Sequence, residues 1–405
     1  MKVLVVSQYF APEAGATQNR MGSFVDGLLA RGHEVTVICE QPCHPGGTFQ
    51  PGYGRRPVMT ERAPGYVIHR LLVAASPRKT TARRLAFYGT FAAGAAAASA
   101  LVSRHDVAFL TSPPLPGVLA ASRVLSVRGI PLVVDIRDIW PAAAEALGEL
   151  SNRRLIAAFE HAERWLYATA ARVTATTRPF CAHIDRVAAR PVSVHLPNGA
   201  LDGLVRLPDT DPPAGGPFTV GYAGNLGIAQ GLGIVLDAAE QLRGEPVRFV
   251  LLGDGPLASE LRAEAARRGL DSVEFRPGVP VRQVSAFLQS SHALLVPLRD
   301  HDLFEDFIPS KLYDAMAVGR PAIVAARGEA PALVREAGGG LAIDPEDGEA
   351  LAEAVRGLAA DPGRARRMSA AGREAARDLT RSHQVERLEA VLVEAAESRA
   401  GLDPA

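Results

Sequence analysis

Short apolar runs alternate with helix-like segments along almost the whole chain. The runs are three to six residues long and rich in Val, Ile and Leu, as in strands buried within a parallel sheet. They fall into two groups: Val3–Val6, Glu34–Ile38, Val67–Leu72, Ala108–Leu110, Leu132–Asp135, Val173–Ala175 and Val192–Leu196, then Thr219–Tyr222, Arg248–Leu252, Val273–Phe275, Ala293–Val296, Ala322–Val324 and Gly340–Ile343. The alternation predicts an α/β protein with two doubly wound parallel sheets.

The segment LPDTDPPAGGP at residues 207–217 interrupts this pattern. Its four prolines and two glycines prevent a helix or strand from continuing. We therefore predict an N-terminal domain at 1–206, a connector at 207–217 and a C-terminal domain at 218–375. Residues 376–405 read as a closing helix that packs on the surface or crosses back to the first domain. Ligands of such sheets bind beyond the carboxyl ends of the strands, so we expect a cleft between the two domains.

Residues 85–102 are the one stretch long enough to raise the question of a membrane span. These 18 residues carry no charge, which meets the lower limit for a span. Most of them are alanine or glycine, however, and the large apolar residues crowd at one end. We predict a buried domain helix that packs on a sheet. The basic residues just before it leave room for a peripheral membrane contact: Arg78, Lys79, Arg83 and Arg84.

Composition and charge narrow the function classes. With 405 residues, 47% of them hydrophobic and 22% charged, the chain can bury two cores. Its formal net charge is zero, which argues against nucleic acid as a partner and makes any anion site local. The cysteines are Cys39, Cys43 and Cys181, a sparse, odd set that favours the cytoplasm. Cys39, Cys43 and His44 lack a fourth ligand at any usual spacing, so we expect no metal site.

The segment Phe304–Val324 combines a helix start with charged residues. Pro309 fits the first turn of a helix, Gly319 can end that helix in the left-handed conformation, and a buried strand follows. The free N–H groups at a helix start attract phosphate oxygens, and Lys311 adds a full positive charge. The carboxylates of Asp306 and Asp314 suit sugar hydroxyls. This segment therefore predicts a site for a phosphorylated sugar ligand.

Taken together, the motifs resemble those of the GT-B glycosyltransferases of family 4, which are retaining enzymes that use nucleotide sugars. The resemblance spans nearly the whole chain and is nearest to the bacterial branch that builds surface polysaccharides. It is carried by PEAGATQNR, LLARGHEVTVI, VVDIRDIWP, LPNGA, VGYAGNLGIAQGL, VLLGDGP and FEDFIPSKLYDAMAVGRPAIV. It implies a GT-B fold, with two Rossmann-like domains facing a central cleft.

The resemblance also implies a donor site. In the family, two acidic residues separated by seven others contact the donor sugar and the ribose, and Asp306 and Asp314 match them. Aspartate is shorter than the usual glutamate, so the ligand sits closer or Glu305 takes the first role. The remaining donor-binding positions implied by the matching motifs are Gly15, Ala16, Gly224, Asn225, Gln230, Gly253, Asp254, Gly255, Arg276, Val279, Phe307, Ile308, Pro309 and Ser310.

The chain departs from the family at its diphosphate-binding pair. An arginine and a lysine are common where this chain has Asn225 and Gln230. We hypothesise that Lys311, the helix start and Arg137 supply the missing positive charge, with Asp138 orienting Arg137 or accepting from a sugar hydroxyl. This makes Asp306, Arg137, Asp138 and Lys311 the predicted catalytic residues. Purely structural interpretations of these residues stay open. Lys311 would then be an ordinary solvated lysine, Arg137 and Asp138 a local ion pair, the acidic residues surface carboxylates, and the glycines turn residues only.

The resulting expectation is a metal-independent, retaining hexosyl- or N-acetylhexosaminyltransferase that needs no cofactor. Its partners would be a nucleotide-sugar donor, with uridine the commonest base in the family, and a sugar, lipid-linked or small-molecule acceptor. Two alternatives remain. A nucleotide-sugar 2-epimerase shares the GT-B architecture, and a non-catalytic partner protein would explain the weakened diphosphate pair. The loop at residues 12–20 resembles an acceptor loop and favours transfer.

Overall fold

The chain divides into two α/β units. A computed structural model describes residues 1–13, 15–44, 46–78, 80–142, 145, 152–208, 210 and 215–400. The first unit contains Met1–Pro197 and Arg381–Ala405, and the second contains Asn198–Thr380. Residues 198–206, which the sequence assigns to the N-terminal domain, thus group with the second unit. Of the predicted connector, residues 209 and 211–214 lie outside the described ranges.

The first unit contains an eight-stranded sheet. Its strands are β1 (Lys2–Val6), β2 (Glu34–Glu40), β3 (Val58–Ala63), β4 (Tyr66–Leu71), β5 (Val107–Ser112), β6 (Leu132–Ile136), β7 (Arg172–Ala175) and β8 (Ser193–His195). Their order is β3-β4-β2-β1-β5-β6-β7-β8, and all pairs are parallel except β3 with β4. The strand order reverses between β1 and β5, which is where doubly wound sheets bind ligands.

The second unit contains a six-stranded, all-parallel sheet. Its strands are β9 (Phe218–Ala223), β10 (Val247–Leu252), β11 (Val273–Arg276), β12 (Ala293–Pro297), β13 (Ala322–Ala325) and β14 (Gly340–Ile343), in the order β11-β10-β9-β12-β13-β14. All thirteen strands expected from the apolar runs are present. The predicted α/β class with two doubly wound, Rossmann-like halves is therefore confirmed.

Helices cover these sheets. In the first unit they are α1 (Ala16–Ala30), α2 (Thr81–Leu101), α3 (Leu115–Val127), α4 (Arg153–Thr169), α5 (Arg178–Ala188) and α14 (Arg381–Ala400). In the second unit they are α6 (Asp202–Val205), α7 (Gly233–Gln241), α8 (Ala258–Arg267), α9 (Val281–Gln289), α10 (Ser310–Val318), α11 (Glu329–Glu336), α12 (Gly348–Ala360) and α13 (Pro362–Ala376). Short 3-10 turns cover residues 228–230, 302–304 and 377–379.

Each sheet buries apolar side chains on both of its faces. In β10, Phe249 and Leu251 pack into one core of the second unit, whereas Val250 and Leu252 pack into the other. This is the alternation that the pleat of a strand imposes. In the first unit, α14 returns to close the core over α1. Its side chains Leu388 and Leu392 are fully buried there.

The helix at Thr81–Leu101 corrects one expectation. It does not form the buried helix that was predicted, because only Phe91, Ala95 and Ser99 are buried, while Leu85 is 60% exposed. Phe91 packs over Gly117 of α3, where an added Cβ would lie 2.6 Å from the ring. Within the described ranges, no helix combines the length and apolar character needed to cross a membrane.

Candidate functional site

The segment Phe304–Val324 folds as its sequence predicts. Helix α10 begins at Ser310 with Pro309 as its extended N-cap residue, and Gly319 ends it with φ of 70°. The N-cap residue Pro309 offers no side-chain acceptor to the first N–H groups of the helix, and Leu312 N–H donates to the Pro309 carbonyl at 3.0 Å. The buried strand β13 then follows. These N–H groups can bind an anion.

Lys311 lies against the loop that follows β9. Its ammonium is 5.3 Å from the centre of the Tyr222 ring. Burial lowers the pKa of Lys311, and the carboxylate of Asp314 partly opposes this shift. Among the described residues, we find no hydrogen bond or ion pair to its ammonium group. A desolvated positive charge in this setting is stabilised when an anion binds beside it.

Two glycines make room for this arrangement. A Cβ at Gly224 would lie 2.4 Å from Lys311 Cε, and a Cβ at Gly253 would lie 1.9 Å from the carbonyl oxygen of Gly224. Both residues have φ near 145°, which favours glycine. The loops after β9 and β10 therefore touch, and the aliphatic stem of Lys311 lies directly over them.

The two residues at the family's cationic positions form part of the same loop. Asn225 accepts a hydrogen bond from the Tyr222 hydroxyl through its backbone oxygen, at 2.6 Å. The side-chain oxygen of Gln230 accepts from the backbone N–H of Gly227 at 3.2 Å. Gln230 thus closes its own turn. Lys311 places a positive charge beside this loop.

The predicted acidic residues lie on either side of the start of α10. Asp314 accepts a hydrogen bond from the backbone N–H of Leu201 at 3.2 Å, so part of its carboxylate holds the chain entering this unit. Asp306 and Glu305 are exposed just before α10, and the Glu305 carbonyl accepts from Glu329 N–H at 2.8 Å. The three residues between them and α10 are half-buried, as is Ser310, which begins the helix: Phe307, Ile308 and Pro309.

The remaining predicted residues of the second unit follow β10 and β11. Asp254 is exposed, and its carboxylate accepts from the N–H of Gly255 at 2.8 Å. Arg276 forms a forked pair with Glu274 at 2.7 and 3.1 Å, which raises its pKa. Val279 packs half-buried against the core. All of these positions border the carboxyl edge of one sheet, as the sequence predicts for a ligand site.

The predicted residues of the first unit lie at the ends of β1 and β6. Gly15 precedes α1 and Ala16 begins it, while residue 14 lies outside the described ranges. Arg137 donates to Thr111 Oγ1 at 3.0 Å and to the Pro113 carbonyl at 3.1 Å, and burial lowers its pKa to about 10. These bonds fix the guanidinium and engage only part of its donors.

Asp138 is the second predicted catalytic residue of the first unit, after Arg137. Burial raises its pKa to about 6, although Arg137 acts to lower it. Its Oδ1 atom is buried and has no hydrogen-bond partner among the described residues. A buried carboxylate oxygen of this kind can accept a hydroxyl hydrogen bond from a ligand.

A buried ion pair was not foreseen from the sequence. Arg20 donates to both carboxylate oxygens of Asp135, at 2.9 and 3.2 Å, and both side chains are buried. Burial acts to raise the pKa of Asp135, but Arg20 holds it below its usual value. Thr111 also donates to Asp135, at 3.1 Å, and thereby links the pair to Arg137. An aspartate inside the apolar run of β6 was the one available signal.

A second buried group joins the loops after β1 and β2. Glu13 accepts from the backbone N–H groups of Cys43 and His44, each at 2.6 Å. Gln8 donates to Glu40 at 2.8 Å, and burial raises the pKa of Glu40 to about 8. One carboxylate oxygen each of Glu13 and Glu40 and the sulfur of Cys43 lie within 4.8 Å of one another. Burial also raises the pKa of Cys43, so its thiol stays protonated and hydrogen-bonded within this group.

Comparisons with known proteins agree with this architecture. A model described as "Glycosyl transferase 4-like domain" matches residues 15–199, and one described as "Glycosyl transferases group 1" matches residues 209–375. The chain is 26% identical over 385 residues to the putative colanic acid biosynthesis glycosyl transferase WcaI of Escherichia coli K12, covering 88% of this chain and 91% of that protein.

Solved structures are similar over nearly the full length. Sucrose-phosphate synthase from Thermosynechococcus elongatus has a TM-score of 0.71 at 19% identity, covering 99% of this chain and 98% of that one. Anabaena Alr3699/HepE in complex with UDP and glucose has a TM-score of 0.68 at 16% identity, covering 96% and 98%. At these identities the likeness establishes the fold.

Proposed function

Because the chain belongs to the GT-B glycosyltransferases of family 4, we propose that it moves a sugar from a nucleoside diphosphate donor, UDP-sugar, to a hydroxyl acceptor with retention of configuration. The sugar is a hexose or an N-acetylhexosamine. The name of the Escherichia coli relative supports a role in polysaccharide biosynthesis. The UDP in the Anabaena complex supports the choice of base.

The observation that carries this proposal is the half-buried Lys311 side chain over Gly224. Lys311 is the second residue of a helix whose N-cap residue, Pro309, offers no side-chain cap. A diphosphate bound there would receive a hydrogen bond or ion pair from Lys311 and further bonds from the helix start. This arrangement substitutes for the cationic residues absent at Asn225 and Gln230.

The carboxylates flanking this site suit the rest of the donor. Asp314 takes the ribose, and Asp306 or Glu305 takes hydroxyls of the transferred sugar. The loop at Gly253–Gly255 lies under the nucleoside, and the turn Arg276–Val279 contacts the base. In the first unit, Asp138 accepts from a sugar hydroxyl through its unpartnered oxygen, while Arg137 uses its remaining donors on phosphate oxygens.

The chemistry follows from where charge develops. As the bond between the anomeric carbon and the phosphate oxygen breaks, its electron pair stays on the leaving diphosphate, and Lys311 with the helix start stabilises that charge. The acceptor oxygen bonds to the anomeric carbon from the same face. Its proton passes to an oxygen of the leaving phosphate, so no protein base is required. In this scheme, protein charges alone neutralise the diphosphate, and turnover is independent of a divalent metal.

An activity screen with purified protein tests the proposal. The protein is incubated with a panel of nucleotide sugars, with and without lipid, sugar and cell-extract acceptors, while nucleotide release and product mass are followed. We expect UDP release that depends on an acceptor, a product with the anomeric configuration of the donor, and no loss of rate with chelator.

The other outcomes separate the alternatives. A changed sugar configuration without acceptor would establish epimerisation, and nucleotide-sugar binding without turnover would establish a partner role. An inverted product, or a rate abolished by chelator and restored by one divalent metal, would contradict the proposed mechanism while leaving the family assignment intact.

A further inference from the structure

The loop that follows β12 carries an arginine to the edge of the second sheet at which Lys311 lies. The backbone N–H of Arg299 donates to the carbonyl of Ala229 at 3.0 Å. Its side-chain stem passes over Gly231, where an added Cβ would lie 3.3 Å from Arg299 Cγ. Ala229 and Gly231 flank Gln230, one of the two positions that lack the family's usual cation. Arg299 therefore lies directly beside the place of the missing charge.

Two neighbouring loops hold the backbone next to this arginine. The N–H of Asp300 donates to Glu346 Oε2 at 3.2 Å, and the carboxylate of Asp300 pairs with Arg327 at 2.7 Å. Arg327 follows β13, and Glu346 follows β14. Glu346 has φ of 59°, a conformation that a non-glycine residue keeps only where its surroundings hold it. The loops after β13 and β14 thus fix the position of Arg299, and one of them does so with a strained backbone.

The guanidinium of Arg299 is only weakly engaged. Among the described residues, its one charged partner is Glu346, whose Oε1 lies 3.6 Å from Arg299 Nε. This distance is longer than a hydrogen bond. The Arg299 side chain is 51% exposed, and exposed ion pairs of this kind contribute little to stability. Its N–H donors are therefore available to the oxygens of a ligand.

The order of the strands indicates which part of a ligand reaches this arginine. The loops proposed for the nucleoside follow β10 and β11, Lys311 lies over the loop after β9, and Arg299 follows β12. The sheet order is β11-β10-β9-β12, so a nucleotide lying along this edge meets Lys311 before Arg299. Neighbouring strands are about 4.8 Å apart, which places both cations within reach of one diphosphate.

We propose that Arg299 binds the terminal phosphate of the nucleoside diphosphate, beyond the phosphate that Lys311 and the start of α10 bind. The inference rests on the proposed function, because it assigns one part of the donor which that function requires. The terminal phosphate bears the sugar, so its oxygen receives the electron pair when the anomeric bond breaks. A guanidinium can bind two phosphate oxygens at once and stabilise that charge. In binding, the phosphate replaces Glu346 as the partner of Arg299.

Calorimetric titration with UDP and with UMP, which lacks the terminal phosphate, tests the proposal. Arg299→Gln should weaken UDP binding by about tenfold or more, because a hydrogen-bonded charge pair is lost. The same variant should leave UMP binding unchanged. Arg299→Lys keeps the charge without the planar fork, so its UDP affinity should fall between those of wild type and Arg299→Gln. Lys311→Ala should weaken the binding of both nucleotides.

Two further variants separate a phosphate contact from a surface ion pair. Arg243 is a matched control, since its side chain is 50% exposed and pairs with Glu240 at 3.7 Å beyond the far end of α7. Arg243→Gln should leave the affinity for both nucleotides unchanged. Glu346→Gln keeps an oxygen that accepts from the N–H of Asp300 but removes the charge that competes for Arg299. It should therefore bind UDP at least as tightly as the wild type.

Three results would overturn the assignment of Arg299. These are equal UDP affinity of wild type and Arg299→Gln, equal losses for UDP and UMP, and equal weakening of UDP binding by Arg299→Gln and Glu346→Gln. The last result would show that the pair only holds the loop in place. A wild-type protein that binds none of UDP, ADP, GDP and dTDP would overturn the proposed function as well, which distinguishes the two failures.

Discussion

Each unit holds charged side chains largely out of contact with solvent. In the first unit, Arg20 and Asp135 neutralise each other and hold Thr111, which in turn holds Arg137. In the second unit, the ammonium of Lys311 rests on the Tyr222 ring. Paired buried charges maintain structure, because removing one partner leaves the other uncompensated. A half-buried ammonium without an ion pair among the described residues is instead a candidate for ligand binding.

The raised pKa of Glu40 predicts a pH-dependent stability. Its folded-state pKa is about 8, whereas an unperturbed glutamate has a pKa of about 4.3. Between these two pKa values the folded state retains a proton that the unfolded state loses. As the pH rises through this range, Glu40 therefore lowers the free energy of unfolding by about 1.4 kcal/mol per pH unit. Glu40→Gln should remove this term, so its stability relative to wild type should rise from pH 5 to pH 8.

Urea unfolding at several pH values measures the effect. Glu34→Gln is the matched control, since Glu34 begins the same strand and is exposed. This control should follow the wild-type pH profile. Parallel profiles for Glu40→Gln and wild type would show that Glu40 is ionised in the folded state.

The structural role of a residue was predictable from sequence mainly where its neighbours along the chain determine that role. Gly319 at the end of α10 and Pro309 at its start were predicted because capping depends on neighbouring residues. The Arg20–Asp135 pair was not, because its members are 115 positions apart and only the sheet order brings them together. The hydrogen bond by which Gln230 closes its turn was likewise not predictable, because the partner of a loop side chain depends on the loop conformation.

At the scale of elements, the end of α10 depends on the left-handed conformation of Gly319. An alanine there would meet the steric cost of that conformation, roughly 1–2 kcal/mol. We therefore expect Gly319→Ala to lower the free energy of unfolding by that amount. Gly357→Ala, in the interior of α12 with open space around it, should instead stabilise by roughly 0.5–1 kcal/mol. Equilibrium denaturation of both variants would distinguish them by sign, and two equal effects would contradict this account.

Elements with apolar runs were predicted well, and polar or alanine-rich ones were not. The antiparallel edge strand β3, VMTERA, was missed because its side chains are largely exposed and it contains no apolar run. Helix α2 was expected to be buried because it lacks charge, yet alanine tolerates exposure and most of its surface is open. Burial depends on which neighbours an element meets, and the sequence of that element alone does not specify them.

At the scale of the whole molecule, the C-terminal helix completes the first unit. Leu388 of α14 is fully buried in the core with residues of α1 and β1, and Val385 packs against Gly27. Leu388→Ala should therefore cost about 2–5 kcal/mol of stability in the first unit. Val393→Ala, on the same helix but 36% exposed, should cost much less. Thermal unfolding, monitored by hydrogen exchange of the backbone amides in β1 and β2, tests this. Equal protection of these amides in both variants would contradict it.

The two-sheet architecture was predictable from the spacing of apolar residues along the chain, whereas the boundary between the two units was not. Alternating strands and helices predicted two doubly wound sheets, which both occur. The change from one unit to the next was expected at the proline-rich segment, but Ala200 and Leu204 pack into the core of the second unit. A boundary depends on where side chains pack, and composition identifies only the part of the chain that lacks regular structure.

We propose that Lys311 and the start of α10 bind the donor diphosphate, and calorimetric titration with UDP measures this binding. Lys311→Ala should weaken UDP binding at least tenfold, about 1.4 kcal/mol. Lys2→Ala, which removes an exposed lysine paired with Glu34, should leave the affinity unchanged. Equal UDP affinity for wild type and Lys311→Ala, with both proteins folded, would show that Lys311 does not bind the diphosphate.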